Sequence, residues 1–125
     1  MIRQMRPLLN AGDYVFCTVN ELSIVNIDRI VFHFKEKEGV TIVADKNYAD
    51  SIGLVYEGIF SWISLDVHSS LNAVGLTATF SNALYEEGIA CNVVAAFYHD
   101  HIFVGKADAE KAIDTLKKLS AGNII

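Results

Sequence analysis

The residues that could do chemistry gather in the stretch from Phe60 to Val104, and mostly in one loop of it. His68, Ser69, Ser70, Leu71, Asn72, Ala73, Val74 and Gly75 lie between an alternating segment and an amphipathic one. Ser70 and Asn72 carry short side-chain oxygens that can accept the first free N–H groups of a helix, so both are candidate N-caps. Gly75 falls in the expected first helical turn, where glycine costs roughly 0.5–1 kcal/mol against alanine. Its missing Cβ would let a ligand approach the backbone, and the positive end of a helix favours a carboxylate or another anion there. Asn92 stands inside the apolar run Ile89–Tyr98, where asparagine is disfavoured in a strand. Two local rules broken in one unit mark a candidate small-molecule site. The plainer reading packs Gly75 against a neighbouring strand and uses Asn92 to satisfy a bulge.

Other chemistries are weaker. His99-Asp100-His101, with His68 nearby in the pattern, brings zinc to mind, but zinc needs three or four converging ligands and a second shell. Residues in a tight turn splay, so the expectation is a turn with solvated or packed histidines and no metal. Ser69 and Ser70 neighbour His68, and Asp66 shares a strand face with it. A nucleophile needs a base within ~2.6–3.2 Å and a third group orienting that base, and adjacency in sequence supplies neither. There is no Walker loop and no dinucleotide fingerprint, and Gly75 is a lone glycine in its loop. No catalytic residue and no cofactor are expected, and the chain is not read as an enzyme.

The elements that must position this loop are readable from periodicity. Ile63, Leu65 and Val67 alternate with Ser64, Asp66 and His68, giving a strand with one apolar face. After the loop, Leu76, Phe80, Ala83 and Leu84 share one face of a helix running to about Glu87, with Gly88 as its stop. Ile89–Tyr98 is apolar on both faces and reads as a strand covered on both sides. His99-Asp100-His101 is then the turn, and Ile102-Phe103-Val104 returns. Upstream, Tyr14–Val19 is a strand, Asn20–Asp28 has no clean helical stripe, and Ile30–Lys35 and Val40–Ala44 form a hairpin. Asp45 caps a short helix, Lys46–Ile52. Arg6–Leu9 is an irregular lead-in or a short edge strand. The last helix opens at Asp108, with Ala109, Ala112, Ile113, Leu116 and Leu119 as its apolar stripe.

Both halves run opening strand, hairpin, acidic cap, helix, and the helix between opening strand and hairpin is present only in the second. We therefore divide the chain into a degenerate unit, residues 1–57, and a full unit, residues 58–125. The second unit is βαββα and lacks the fourth strand that a split βαβ arrangement places beside its first. The other half, or a second chain, must supply it.

Composition narrows the class of function. With 52% hydrophobic and 20% charged residues the chain folds rather than stays disordered. A net charge of −5, with no basic cluster beyond Lys117-Lys118, argues against a nucleic-acid surface. No apolar run approaches the ~18–20 residues of a membrane span, and no secretory signal is read. Cys17 and Cys91 make no disulfide framework and fit a reducing cytoplasm.

Three segments, His68–Thr77, Gly88–Ala96 and Tyr98–Val104, resemble a bacterial family of small ACT-domain proteins, itself similar to the regulatory domains of aspartate kinase. Tyr14-Val15-Phe16-Cys17 and Lys37-Glu38-Gly39-Val40-Thr41 fit as well, so the resemblance covers nearly the whole chain. It implies an α+β fold of two tandem ACT-like units with ferredoxin-like βαββαβ topology and antiparallel sheets. It also implies a regulatory module that binds a small effector, most often an amino acid, at an interface between paired units of a dimer or larger homo-oligomer. The positions that would line such a site are Ser69, Ser70, Val74, Gly75 and Leu76, with Asn92 and Val93. Asp66 could meet an ammonium group. The alternative is a structural pairing module with no ligand.

Overall fold

A computed structural model of the protein describes residues 5–66 and 75–120. The chain packs as two compact units, one of Gly12–Phe60 and one of Met1–Ala11 with Ser61–Ile125.

In the Gly12–Phe60 unit, β2 (Tyr14–Val19), β3 (Ile30–Lys35) and β4 (Val40–Asp45) lie in the order β3-β4-β2. β2 pairs antiparallel with β4 from Tyr14↔Asp45 to Val19↔Val40. β3 pairs antiparallel with β4, with a register shift between Ile30 and Phe32. Alternation decides which face is covered: Val15, Cys17 and Val19 of β2 enter a core with Ile42, Ala44, Tyr48 and Ala49. The helix α1 (Lys46–Ser51) starts where the sequence indicated, because the Asp45 carboxylate accepts from the N–H groups of Asn47 and Tyr48. Where a longer helix would stand, two 3-10 turns, Leu22–Ile24 and Ile27–Arg29, carry Val25 into the core. Asn26 donates its backbone N–H to the Tyr48 hydroxyl at 2.7 Å, which pins these turns.

The other unit holds β1 (Arg6–Leu9), β5 (Phe60–Asp66), α2 (Leu76–Glu86), β6 (Asn92–Ala95), β7 (Asp100–Gly105) and α3 (Ala109–Ser120). Its fourth strand comes from the start of the same chain. β1 pairs antiparallel with β5 from Arg6↔Asp66 to Leu9↔Ile63, so Arg6–Leu9 is a regular strand and not a lead-in. The resulting order is β1-β5-β7-β6. Ile63, Leu65, Ile102 and Val104 pack under Phe80 and Leu84 of α2 and Ala112, Leu116 and Leu119 of α3, with Met5 joining them.

Three expectations are corrected here. The strand expected over Ile89–Tyr98 is only Asn92–Ala95; it stands at the end of the strand order, and with Asn92 and Ala95 exposed and Val93 and Val94 half-buried its faces are not both covered. Phe97 and Tyr98 are each 79% exposed beyond it. The turn is Ala96–His99, closed by the Ala96 N–H on the His99 carbonyl, and Asp100 and His101 already belong to β7. Aspartate and histidine enter the ladder because their partners, Ala95 and Val94, are still available to pair. Finally, a 3-10 turn over Lys106–Asp108 precedes α3, which opens at Ala109.

Candidate ligand site at the start of α2

Gly75 is not inside the first turn of α2 but is its N-cap, with φ +89°. That backbone region is open to glycine and strained for residues with a Cβ, which is the physical reason for this residue here. Among the described residues, no heavy atom beyond its chain neighbours lies within 4 Å of where a Cβ would sit, so packing against a described strand does not explain it. The Gly75 carbonyl accepts from both the backbone N–H of Thr79, at 2.9 Å, and its hydroxyl, at 2.7 Å. Glycine has no side chain to cap the opening N–H groups, so α2 starts without the carboxylate that closes α1. Ser70 and Asn72, the expected caps, lie outside the described residues, as do Ser69 and Val74.

Leu76 packs against the core of its unit and cannot offer a polar contact. Asn92 opens β6, is exposed, and donates from Nδ2 to the Phe103 carbonyl at 3.1 Å across the ladder. Val93 pairs with Ile102 and packs on the core. Asp66 ends β5, where its carboxylate lies 3.1 Å from the Arg6 guanidinium and 4.0 Å from His99 Nδ1. With side chains 78% and 44% exposed, the Arg6–Asp66 pair contributes less than about 1 kcal/mol. Asp66 is therefore already partnered, and meeting an ammonium group would mean sharing it.

Two features escaped the sequence reading. An open groove of about 890 Å³ runs along α2 and the segment leading to β6, lined by Thr79, Asn82, Tyr85, Ala90, Cys91 and Leu119 among others. Small residues on the exposed side of α2 were its only signal. Cys91 is half-buried there, and burial pushes its thiol up to about 11, so it is a neutral, unreactive group at pH 7. The second feature is a polar network joining Asn10, Trp62, Ser64 and His101, for which the polar phase of β5 was the signal. Among the described residues, no group of three His, Cys, Asp or Glu side chains could hold a metal. No described helix is long and apolar enough to cross a membrane.

A split βαββα unit whose missing strand is supplied beside its first, together with a second unit built as a reduced version of it, is a tandem ferredoxin-like arrangement. The chain belongs to the ACT-domain family: ACT-domain models match residues 1–61 and residues 58–118. A protein of unknown function from Vibrio cholerae, described as a possible transport protein, is 45% identical over 95% of this chain and 92% of that one, with a TM-score of 0.87. A protein from Agrobacterium tumefaciens shares the fold at 17% identity and TM-score 0.74, covering 94% of this chain and 90% of its own. The regulatory subunit of aspartate kinase from Thermus thermophilus does so at 10% identity and TM-score 0.61, covering 90% and 95%. No curated protein matches the chain.

Proposed function

We propose that the protein is a regulatory ACT module that binds a small amino acid or related carboxylate and performs no chemistry of its own. The observation that carries this reading is the start of α2. At α1 the positive helix end is satisfied by a carboxylate of the chain, Asp45. At α2 the N-cap is Gly75, and nothing among the described residues beyond its chain neighbours lies within 4 Å of its missing Cβ. The N–H groups there would hold the ligand's carboxylate. Ser69 or Ser70, and Asn92 through its Oδ1, would hold polar groups, with Val74, Leu76 and Val93 shaping the pocket. Asp66, between Arg6 and His99, would meet an ammonium. The units would be the repeats 1–57 and 58–125, the protein a cytoplasmic homo-oligomer, and neither nucleic acid nor membrane a partner.

A thermal-shift screen against the twenty amino acids and simple carboxylates tests this. A ligand bound only to the native state adds about 2.7 kcal/mol of stability at a hundredfold excess over Kd. A selective shift that falls at least several-fold in apparent affinity in Asn92→Ala is expected. The competing reading is a structural pairing module. It draws support from the bond between Asn92 and Phe103 and from Phe97 and Tyr98 exposed beside an edge strand. No shift with any compound would favour that reading.

A further inference from the structure

Trp62 and His101 face each other across β5 and β7, with ring centroids 5.7 Å apart. The indole Nε1–H of Trp62 reaches His101 Nδ1 at 3.0 Å. An indole nitrogen only donates, so Nδ1 must accept, and the imidazole must carry its proton on Nε2. The Ser64 hydroxyl lies 3.1 Å from the same Nδ1. Ser64 Oγ in turn accepts from Asn10 Nδ2 at 3.0 Å, which leaves its own proton free to point at the imidazole. Asn10 Nδ2 and the Asn10 backbone N–H both reach the Trp62 carbonyl. The network thus extends the β1–β5 ladder by one residue and ties the borrowed strand to β5 and β7.

We propose that this network is a proton-sensitive latch: protonation of His101 at Nδ1 places a donor against the Trp62 N–H, which cannot accept, so the Trp62 bond breaks and the end of β1 loosens, while the Ser64 hydroxyl turns to accept from the new N–H. Among the described residues of its unit, the charged and titratable groups around His101 are these. Its own strand brings Asp100, and the preceding turn brings His99, with ring centroids 6.0 Å from those of His101. Beyond His99 come Asp66 of β5 and, on Asp66, Arg6 of β1. β6 places uncharged Val94 opposite His101. Burial and His99 hold the His101 imidazole below its ordinary range, and Asp100 opposes them more weakly. The latch is therefore closed at neutral pH and opens in mild acid.

Trp62 is the single tryptophan of the chain, so one indole signal reports the bond. Imidazole and indole nitrogen-15 NMR spectra of the full chain would be followed from pH 8 to pH 4.5. At pH 8 the expected result is an unprotonated Nδ1 on His101, with the Trp62 N–H shifted downfield and protected. Below pH 6.5 the indole proton moves upfield and exchanges several-fold faster, in step with His101. In His101→Gln, whose side-chain oxygen can still accept, the indole shift becomes independent of pH. An Nδ1–H tautomer at pH 8 overturns the proposal without any variant. So does an indole proton that ignores His101 titration in the native protein, or one that still titrates in a folded His101→Gln.

Discussion

The starts of α1 and α2, one helix from each unit, solve the same problem in opposite ways. α1 begins with Asp45, whose carboxylate accepts from two N–H groups of the first turn. α2 begins with Gly75, which brings a left-handed backbone and no side chain. The first helix end is closed by a side chain of the chain, and the second has no side-chain cap at its N-cap residue. The same contrast recurs one level up. Between opening strand and hairpin, the full unit has an eleven-residue helix. The reduced unit has two 3-10 turns there, because Asn20–Asp28 offers Leu22 and Val25 to the core but no continuous stripe. A unit that loses its helix keeps a core and loses a helix N-terminus.

The strongest way to break the comparison is to take away the borrowed strand. Deleting residues 1–11 removes Met5, 1% exposed, and the whole β1–β5 ladder. The loss of Met5 alone is worth about 2–5 kcal/mol. Hydrogen exchange is expected to show residues 61–120 losing cooperative protection. The amides of Gly12–Phe60 should keep theirs, since neither Met5 nor β1 enters that unit's core. Uniform loss throughout would mean that the units do not fold separately.

A sharper contrast compares Phe80 with Val25, buried side chains from the segments between opening strand and hairpin in the two units. Phe80 is fully buried under α2, and Phe80→Ala should cost about 3–5 kcal/mol in urea unfolding. Val25, 9% exposed in a short turn, should cost only about 1–2 kcal/mol on truncation to alanine. Equal losses would mean that the 3-10 turns hold their unit as firmly as a helix does.

The helix starts themselves give the next smaller effect. Asp45→Ala should cost about 1 kcal/mol through the lost cap. Gly75→Ala should cost about 1–2 kcal/mol through φ +89°, since no described atom would clash with the added Cβ. A bulkier residue at Gly75 therefore tests strain as well as ligand access, and circular dichroism must accompany any binding measurement on it. A Gly75→Ala variant as stable as the parent would show that the left-handed turn relaxes without cost.

What could be read in advance follows from range. β2, β3, the Asp45 cap and the stripes of α2 and α3 depend on neighbours within a turn or a pleat, and the sequence displays those directly. Gly75 and Asn92 were visible as exceptions, but the φ of one and the Phe103 carbonyl bonded by the other were not. The pairing of Arg6–Leu9 with Ile63–Asp66 joins segments far apart in the chain, and no local pattern announces it. The short reach of β6 was misjudged because an apolar run looks alike in a central strand and in an edge strand. The His101 network needed the cross-strand register of two pairs at once.

The smallest effect is a pH dependence, and its sign follows from His101. Burial first, and His99 second, lower its affinity for a proton in the folded state. An unfolded histidine titrates near about 6.5, so between that pH and the folded value the unfolded chain binds more protons. Stability then rises with pH in that window. The contribution of His101 is complete above about pH 6.5, declines as the pH falls toward its folded value, and declines no further below it. Asp100 has the opposite sign. Burial raises its affinity for a proton, so the folded chain gains from it as the pH falls through its raised value, flattening the loss in stronger acid. Urea midpoints measured at pH 7.5 and pH 5.5 should drop in the parent and drop less in His101→Gln, the difference isolating one imidazole from the other three histidines. Equal drops would mean that His101 is as easily protonated in the folded chain as in the unfolded one, and that the bond from Trp62 does not hold it neutral.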